Sequence, residues 1–133
     1  MERKVRDIYH KGVILCRPET LLQEVVRVMA DTGVHAVMVA EREGECPVGV
    51  ISHTDVIAHY GEDLTTIRAS DVMTKQVVSI SEEISVAEAA KTLLESRIHR
   101  LLVTDEEGKP VGILSTTDIV REMRGTRWVW YLD

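Results

Sequence analysis

Cysteine is scarce in this chain of 133 residues. Cys16 and Cys46 are the only two, and neither stands in a metal-ligand spacing. A disulfide framework and a cysteine-built zinc site are excluded, and a reducing, cytoplasmic address is the expectation. Long apolar runs are missing too: none approaches the roughly 20 residues that would span a bilayer. The N-terminus, Met1 to Asp7, mixes charges without an apolar stretch, so no cleaved secretory signal is expected. Positive charge is outweighed, with 16 Lys and Arg against 22 Asp and Glu, for a net charge of −6. That excludes nucleic-acid binding through broad phosphate neutralisation, though not a local basic pocket. Among the histidines His10, His35, His53, His59 and His99, no two are spaced i, i+4, and neither Cys-x-x-Cys nor His-Glu-x-x-His occurs. No metal site is expected. No serine or cysteine has a recognisable base and orienting carboxylate, so no enzyme is expected.

What is present is a soluble globular balance, 44% apolar and 29% charged, and a duplication. The halves align with an offset of 64 residues up to Glu45 and 63 after Cys46, an insertion. Arg6-Asp7-Ile8-Tyr9 answers Ser70-Asp71-Val72-Met73, and Val13-Ile14 answers Val77-Val78. Leu21 to Gly33 answers Ser85 to Arg97, and Val34-His35 answers Ile98-His99. Pro47 to Asp55 answers Pro110 to Asp118. Chance similarity does not keep this order along a whole chain.

Each repeat reads as β-α-β-β-α. Leu22, Val25, Val26 and Met29, like Val86, Ala89, Ala90 and Leu93, give one apolar helix face. Val37 to Val39 and Leu101 to Val103 are short apolar runs, expected as buried strands. Turn residues follow, Glu43-Gly44-Glu45 and Glu107-Gly108-Lys109. Second strands, Val48 to Ile51 and Val111 to Leu114, run into short helices that are apolar at Val56, Ile57 and Tyr60, and at Ile119, Val120 and Met123. A unit of this size is marginal alone. Two related by an approximate twofold axis can bury their open sheet faces on each other. The boundaries expected are 5–60 and 70–124 for the repeats, 61–69 for a polar connector and 125–133 for a tail. The fold class is α+β.

The most informative residues lie where a strand gives way to a helix: Gly49, Ser52, Thr54 and Asp55, and again Gly112, Ser115, Thr117 and Asp118. Backbone N–H groups and the helix dipole favour anions there. The hydroxyls can donate to phosphate, and the carboxylate can accept both hydroxyls of a ribose. The same atoms also suit helix capping, with serine as N-cap and aspartate in the first turn. Both readings stay open on spacing alone.

Over about residues 5–124 the chain resembles a tandem pair of CBS domains. This regulatory module is named after cystathionine β-synthase and is found in the γ subunit of AMP-activated protein kinase and in IMP dehydrogenase. The G-x-x-S-x-T-D turns carry the resemblance, with Ile98-His99-Arg100-Leu101-Leu102-Val103, which is similar to a phosphate-contacting segment of the kinase subunit. The resemblance implies a sensor that binds an adenosine nucleotide (AMP, ADP or ATP) in clefts between the repeats, with no cofactor required. NAD or S-adenosylmethionine is the alternative ligand, and an interaction module without physiological nucleotide the alternative function. One implied cleft has Asp118 for ribose and Ser115 and Thr117 for phosphate, with Ile113 and, from the opposite repeat, Ile14, Val34, His35 and Ala36. The other has Asp55, Ser52, Thr54 and Val50, faced by Val78, Ile98, His99 and Arg100. The guanidinium of Arg100 suits phosphate. Its repeat mate is Ala36, so equal sites are not expected.

Cys16 reads as a packed residue and Cys46 as an exposed loop thiol. The tail, Thr126 to Leu132, holds both tryptophans and one of three tyrosines in a chain without phenylalanine. Such a cluster needs covering, by its own helices, a second subunit or a partner. A homodimer, with a regulated protein partner, is expected; nucleic acid and membrane are not.

Overall fold

The computed structural model describes residues 2–125; the aromatic tail lies outside the described residues. In chain order the elements are a single 3-10 turn (Val5–Asp7), β1 (His10–Lys11), β2 (Leu15–Cys16), α1 (Leu22–Thr32), β3 (Ala36–Val39), β4 (Gly49–Ser52), α2 (His53–Ile57), α3 (Ala69–Val72), β5 (Ser79–Ser81), α4 (Val86–Ser96), β6 (Arg100–Thr104), β7 (Pro110–Ser115) and α5 (Thr116–Arg124). Helices and strands are thus mixed in two small sheets, β2-β3-β4 and β1-β7-β6-β5. Among the described residues no helix is long and apolar enough to cross a membrane.

The chain forms two compact units. One is Gly12–Val78; the other joins the N-terminal segment, up to Lys11, to the chain from Ser79 on. In the first, β2 runs parallel to β3, and β3 pairs antiparallel with β4, placing Ala36 opposite Ser52. Leu22, Val25 and Met29 on α1 meet Val37, Val39, Ile51 and Ala69 in an aliphatic core. In the second, β5 runs parallel to β6, and β6 pairs antiparallel with β7, placing Arg100 opposite Ser115. Val5, Ala89, Leu93, Leu101, Val103 and Leu114 are buried there.

The helix limits have local causes. α1 begins after Leu21, which has no side-chain oxygen to cap with. Carbonyls of the connector do that work: Leu22 N–H donates to Ile67 O at 2.8 Å and Gln23 N–H to Leu64 O at 3.2 Å. Leu64 and Ile67 also lie half-buried against the core, so the connector is not wholly polar. In the other unit Ser85 caps α4 through Glu88 N–H, and Val86 N–H donates to Arg3 O at 2.9 Å. α1 ends on Gly33 in the left-handed conformation that glycine adopts most easily. The short helices differ in length. α5 runs to Arg124, whereas α2 stops at Ile57, because His59 and Tyr60 bond back to Val56 and Ile57 in a tight turn. Tyr60 is therefore not on the helix face that its spacing suggests.

Each unit contains a segment that the repeat pattern assigns to the other half. Val5 is fully buried, Val5 N–H donates to Ile84 O at 2.9 Å, and β1 pairs antiparallel with β7, His10 opposite Ile113. The equivalent stretch from Ala69 to Thr74 does the same in the first unit. Ala69 is fully buried, its N–H reaches Thr20 O at 2.7 Å, and Thr74 bridges Val50. This crossing gives the paired glycines a purpose. A side chain at Gly112 would collide with His10 O and the Tyr9 ring, and one at Gly49 with the Met73 side chain.

Candidate functional site

At the end of β7 the strand turns into α5, and two donors of the turn converge on one carboxylate. Ser115 N–H donates to Asp118 Oδ2 at 2.8 Å and the Ser115 hydroxyl to the same oxygen at 3.1 Å. Asp118 N–H in turn points at Ser115 Oγ, 3.4 Å away. This is a complete capping box, so the structural role foreseen for these residues is filled. Asp118 is only 4% exposed. Its second oxygen, Oδ1, faces the crossing segment, with His10 Nδ1 at 2.8 Å and Arg121 Nη1 at 4.0 Å.

The first-repeat turn repeats the plan with different partners. Ser52 N–H and the Ser52 hydroxyl donate to Asp55 Oδ2 at 2.8 and 3.0 Å. Ser52 Oγ also lies 2.9 Å from Thr54 Oγ1. Asp55 Oδ1 meets Thr74, whose hydroxyl donates at 3.4 Å. Thr74 and His10 are repeat mates, so one crossing residue per unit reaches the free oxygen of each aspartate. Beside this turn His53 Nε2 lies 3.2 Å from Val34 O, and its ring stands 4.8 Å from that of His35.

Within its own unit each turn stands beside residues that the resemblance assigned to the other cleft: Val34, His35 and Ala36 were expected to face Asp118, and His99 and Arg100 to face Asp55. Ser52, Thr54 and Asp55 come together, with Ala36 across the β3–β4 pair and Val34 and His35 held through His53. Ser115 and Asp118 come together, with Arg100 across the β6–β7 pair and His99 O accepting from Thr116 N–H at 3.0 Å. Thr117 is exposed at the start of α5. Ile113 pairs with Leu102 and with His10, and Val50 with Met38. Ile14 O accepts from Met38 N–H, and Ile98 N–H closes α4 on Leu93 O. Val78, half-buried, is the last residue of the first unit.

Arg100 is electrostatically distinct. Burial pushes its guanidinium below the usual arginine range, and among the described residues no carboxylate stands within ion-pair distance of it. At the matching place in the first unit there is only the methyl of Ala36. The residues that spacing did not single out are His10 and Thr74. Their signal was the shared alignment position, which acquires meaning only once both segments cross. Among the described residues no three His, Cys, Asp or Glu are grouped to hold a metal.

Each carboxylate thus has one oxygen saturated by serine and another held by a single crossing residue. An ionised carboxylate accepts at about four positions. It can take a vicinal diol when the serine hydroxyl turns away, and that hydroxyl is then available to an anion.

Two stretches of the chain, 5–62 and 69–125, match the family model described as CBS domain. Inosine-5'-monophosphate dehydrogenase of Methanocaldococcus jannaschii is 32% identical over 122 residues, 92% of this chain but 24% of that enzyme. The chain therefore spans about a quarter of that relative's length. Two solved structures share the fold. A CBS domain pair in complex with 5-methylthioadenosine and S-adenosyl-L-methionine superposes with a TM-score of 0.83 at 21% identity, covering 96% of this chain and 100% of that one. The CBS domain of a bacterial CNNM/CorC family Mg2+ transporter, in complex with ATP, gives 0.82 at 22% identity, covering 92% and 88%.

Proposed function

The chain belongs to the CBS-domain family, with one domain in each of its two repeats, and from that premise we propose that it is a regulatory protein binding an adenosine-containing ligand. Asp55 and Asp118 take the ribose hydroxyls at the two strand-to-helix turns, and the ligand is AMP, ADP or ATP where phosphate meets Arg100. The observation that carries this reading is Arg100 itself. Folding has partly desolvated a guanidinium, left it without a carboxylate, and set it opposite Ser115 on the neighbouring strand. An anion bound there regains the lost solvation. Ser115 then exchanges its bond to Asp118 for one to phosphate, which releases Oδ2 to the diol.

The turns favour different ligands. Ala36 offers the first-repeat turn no charge, which suits an adenosyl group without a phosphate beside it, as in S-adenosylmethionine or methylthioadenosine. Both ligands are present in the domain pair that superposes on this chain. Binding acts by differential affinity: a ligand that fits one conformation better shifts the population toward it, and a partner protein reads the shift. The exposed Ile57 and Tyr60 in one unit, and Val120 and Met123 in the other, offer that partner, or a second copy in a homodimer, apolar side chains to cover.

Thermal shift with AMP, ADP, ATP, NAD and S-adenosylmethionine tests the proposal. A ligand at about 100 times its dissociation constant stabilises the fold by roughly 2.7 kcal/mol. Arg100→Ala should weaken ATP and ADP more than adenosine. A flat panel rejects nucleotide sensing and leaves the turns as helix caps in an interaction module; equal losses for all three ligands remove Arg100 from the phosphate.

A further inference from the structure

The geometry points to His10 as a proton-linked competitor for Asp118, making adenosine binding at the second-repeat turn weaker at acid pH. This inference rests on the ribose role of Asp118 proposed above and adds its regulation. His10 Nδ1 lies 2.8 Å from Asp118 Oδ1, the oxygen that serine leaves open. A diol that uses both carboxylate oxygens must displace this imidazole. The side chain is two-thirds exposed, so it has room to swing out.

The strength of its hold depends on its charge. A neutral imidazole gives the ionised Asp118 one hydrogen bond; an imidazolium adds to it the attraction of opposite charges, and holds the oxygen more tightly. Other groups around it are few. From α5, Arg121 faces the same oxygen at 4.0 Å, and one turn on Glu122 is held by Arg3 at 2.7 Å. β7 carries no titratable side chain, and the crossing segment adds Tyr9 and Lys11. Histidine is the side-chain type that ordinarily changes charge between pH 5 and 8. At Asp55 the repeat mate is the hydroxyl of Thr74, which does not titrate there. The duplication has therefore diverged where it would make one turn sensitive to protons and leave the equivalent crossing contact insensitive.

Adenosine is the probe, because it lacks the phosphate whose second proton leaves near pH 6. Its affinity is measured by calorimetry at pH 5.5 and 8.0 in Asp55→Asn, where Asp118 is the remaining ribose site. Ligand-free melting at both pH values verifies that each variant is folded. Binding should be several-fold weaker at pH 5.5 than at pH 8.0. Adding His10→Asn, which keeps a donor but cannot titrate, should abolish the difference, and adding His10→Thr should do likewise. A slope that persists in either double variant, or a flat profile in Asp55→Asn alone, overturns the role of His10. Binding lost in Asp55→Asn but kept in Asp118→Asn overturns it as well, while sparing the broader reading. Binding absent from the wild type at both pH values overturns both.

Discussion

In Asp118→Asn an amide nitrogen must stand where a carboxylate oxygen now accepts, either from Ser115 or from His10. One donor is left facing another in a nearly closed environment. The substitution should cost about 1–2 kcal/mol of stability by losing a cap and a charge-assisted bond. If the ribose reading holds, adenosine binding should also weaken about tenfold or more, measured by calorimetry on folded protein. Lost stability with unchanged affinity would assign Asp118 to capping alone. Cys16 has a separate signature. Burial pushes its thiol up to about 11, whereas an unfolded thiol titrates near about 8.5. Between those values the unfolded chain has released a proton that the folded chain retains, so stability falls as pH rises. Denaturant unfolding from pH 8 to 11 should show a shallower decline in Cys16→Ala than in the wild type. Tyr9, which burial also shifts upward, contributes the same sign in both proteins and cancels. The two aspartates could be read from the sequence because G-x-x-S-x-T-D occurs twice. His10 could not, because a partner 108 positions downstream leaves no local pattern.

The crossing segments are where sequence and architecture part. Helix limits were legible, since Leu21, Gly33, Ser85 and Arg97 are the observed cap residues of α1 and α4. Periodicity of apolar residues suffices for that. It cannot tell which sheet a two-residue strand joins, and β1 reveals its partner only through the register with β7. The paired glycines give this crossing a measurable consequence. Gly112→Ala sets a methyl against backbone at His10 and against the Tyr9 ring; Gly49→Ala meets only the side chain of Met73, from its sulfur to its Cβ. Overpacking costs about 1–3 kcal/mol, and the first substitution should fall at or above the top of that range. The second should fall near the bottom, because a methionine can swing aside. Equal losses in urea unfolding would mean that the backbone of the crossing segment yields as readily as a side chain.

At the scale of the molecule, the apolar residues left exposed dominate. Tyr60 is 93% and Met123 80% exposed, and Ile57 and Val120 are about two-thirds exposed. Their spacing in the short helices already indicated that not all could turn inward. What covers them was not legible, because apolar pattern records a need for contact and not the identity of the contact. The proposed homodimer predicts a mass near twice 15.0 kDa by light scattering at micromolar concentration in reducing buffer. A monomer would leave those side chains to a different protein.

The interleaving of segments also sets an order of events during synthesis. Everything in Gly12–Val78, including its own crossing stretch, emerges from the ribosome as one continuous piece. The N-terminal residues come out first and must wait. Arg3 meets Glu122, which is 119 residues later, and at about 5–20 residues per second that is a delay of roughly 6–24 s. During that interval Val5 is an apolar side chain without its native pocket. Nascent chains arrested with Gly12–Val78 clear of the ribosome should therefore show that stretch cleaved more slowly than the N-terminus, which becomes protected only after β7 and α5 are released.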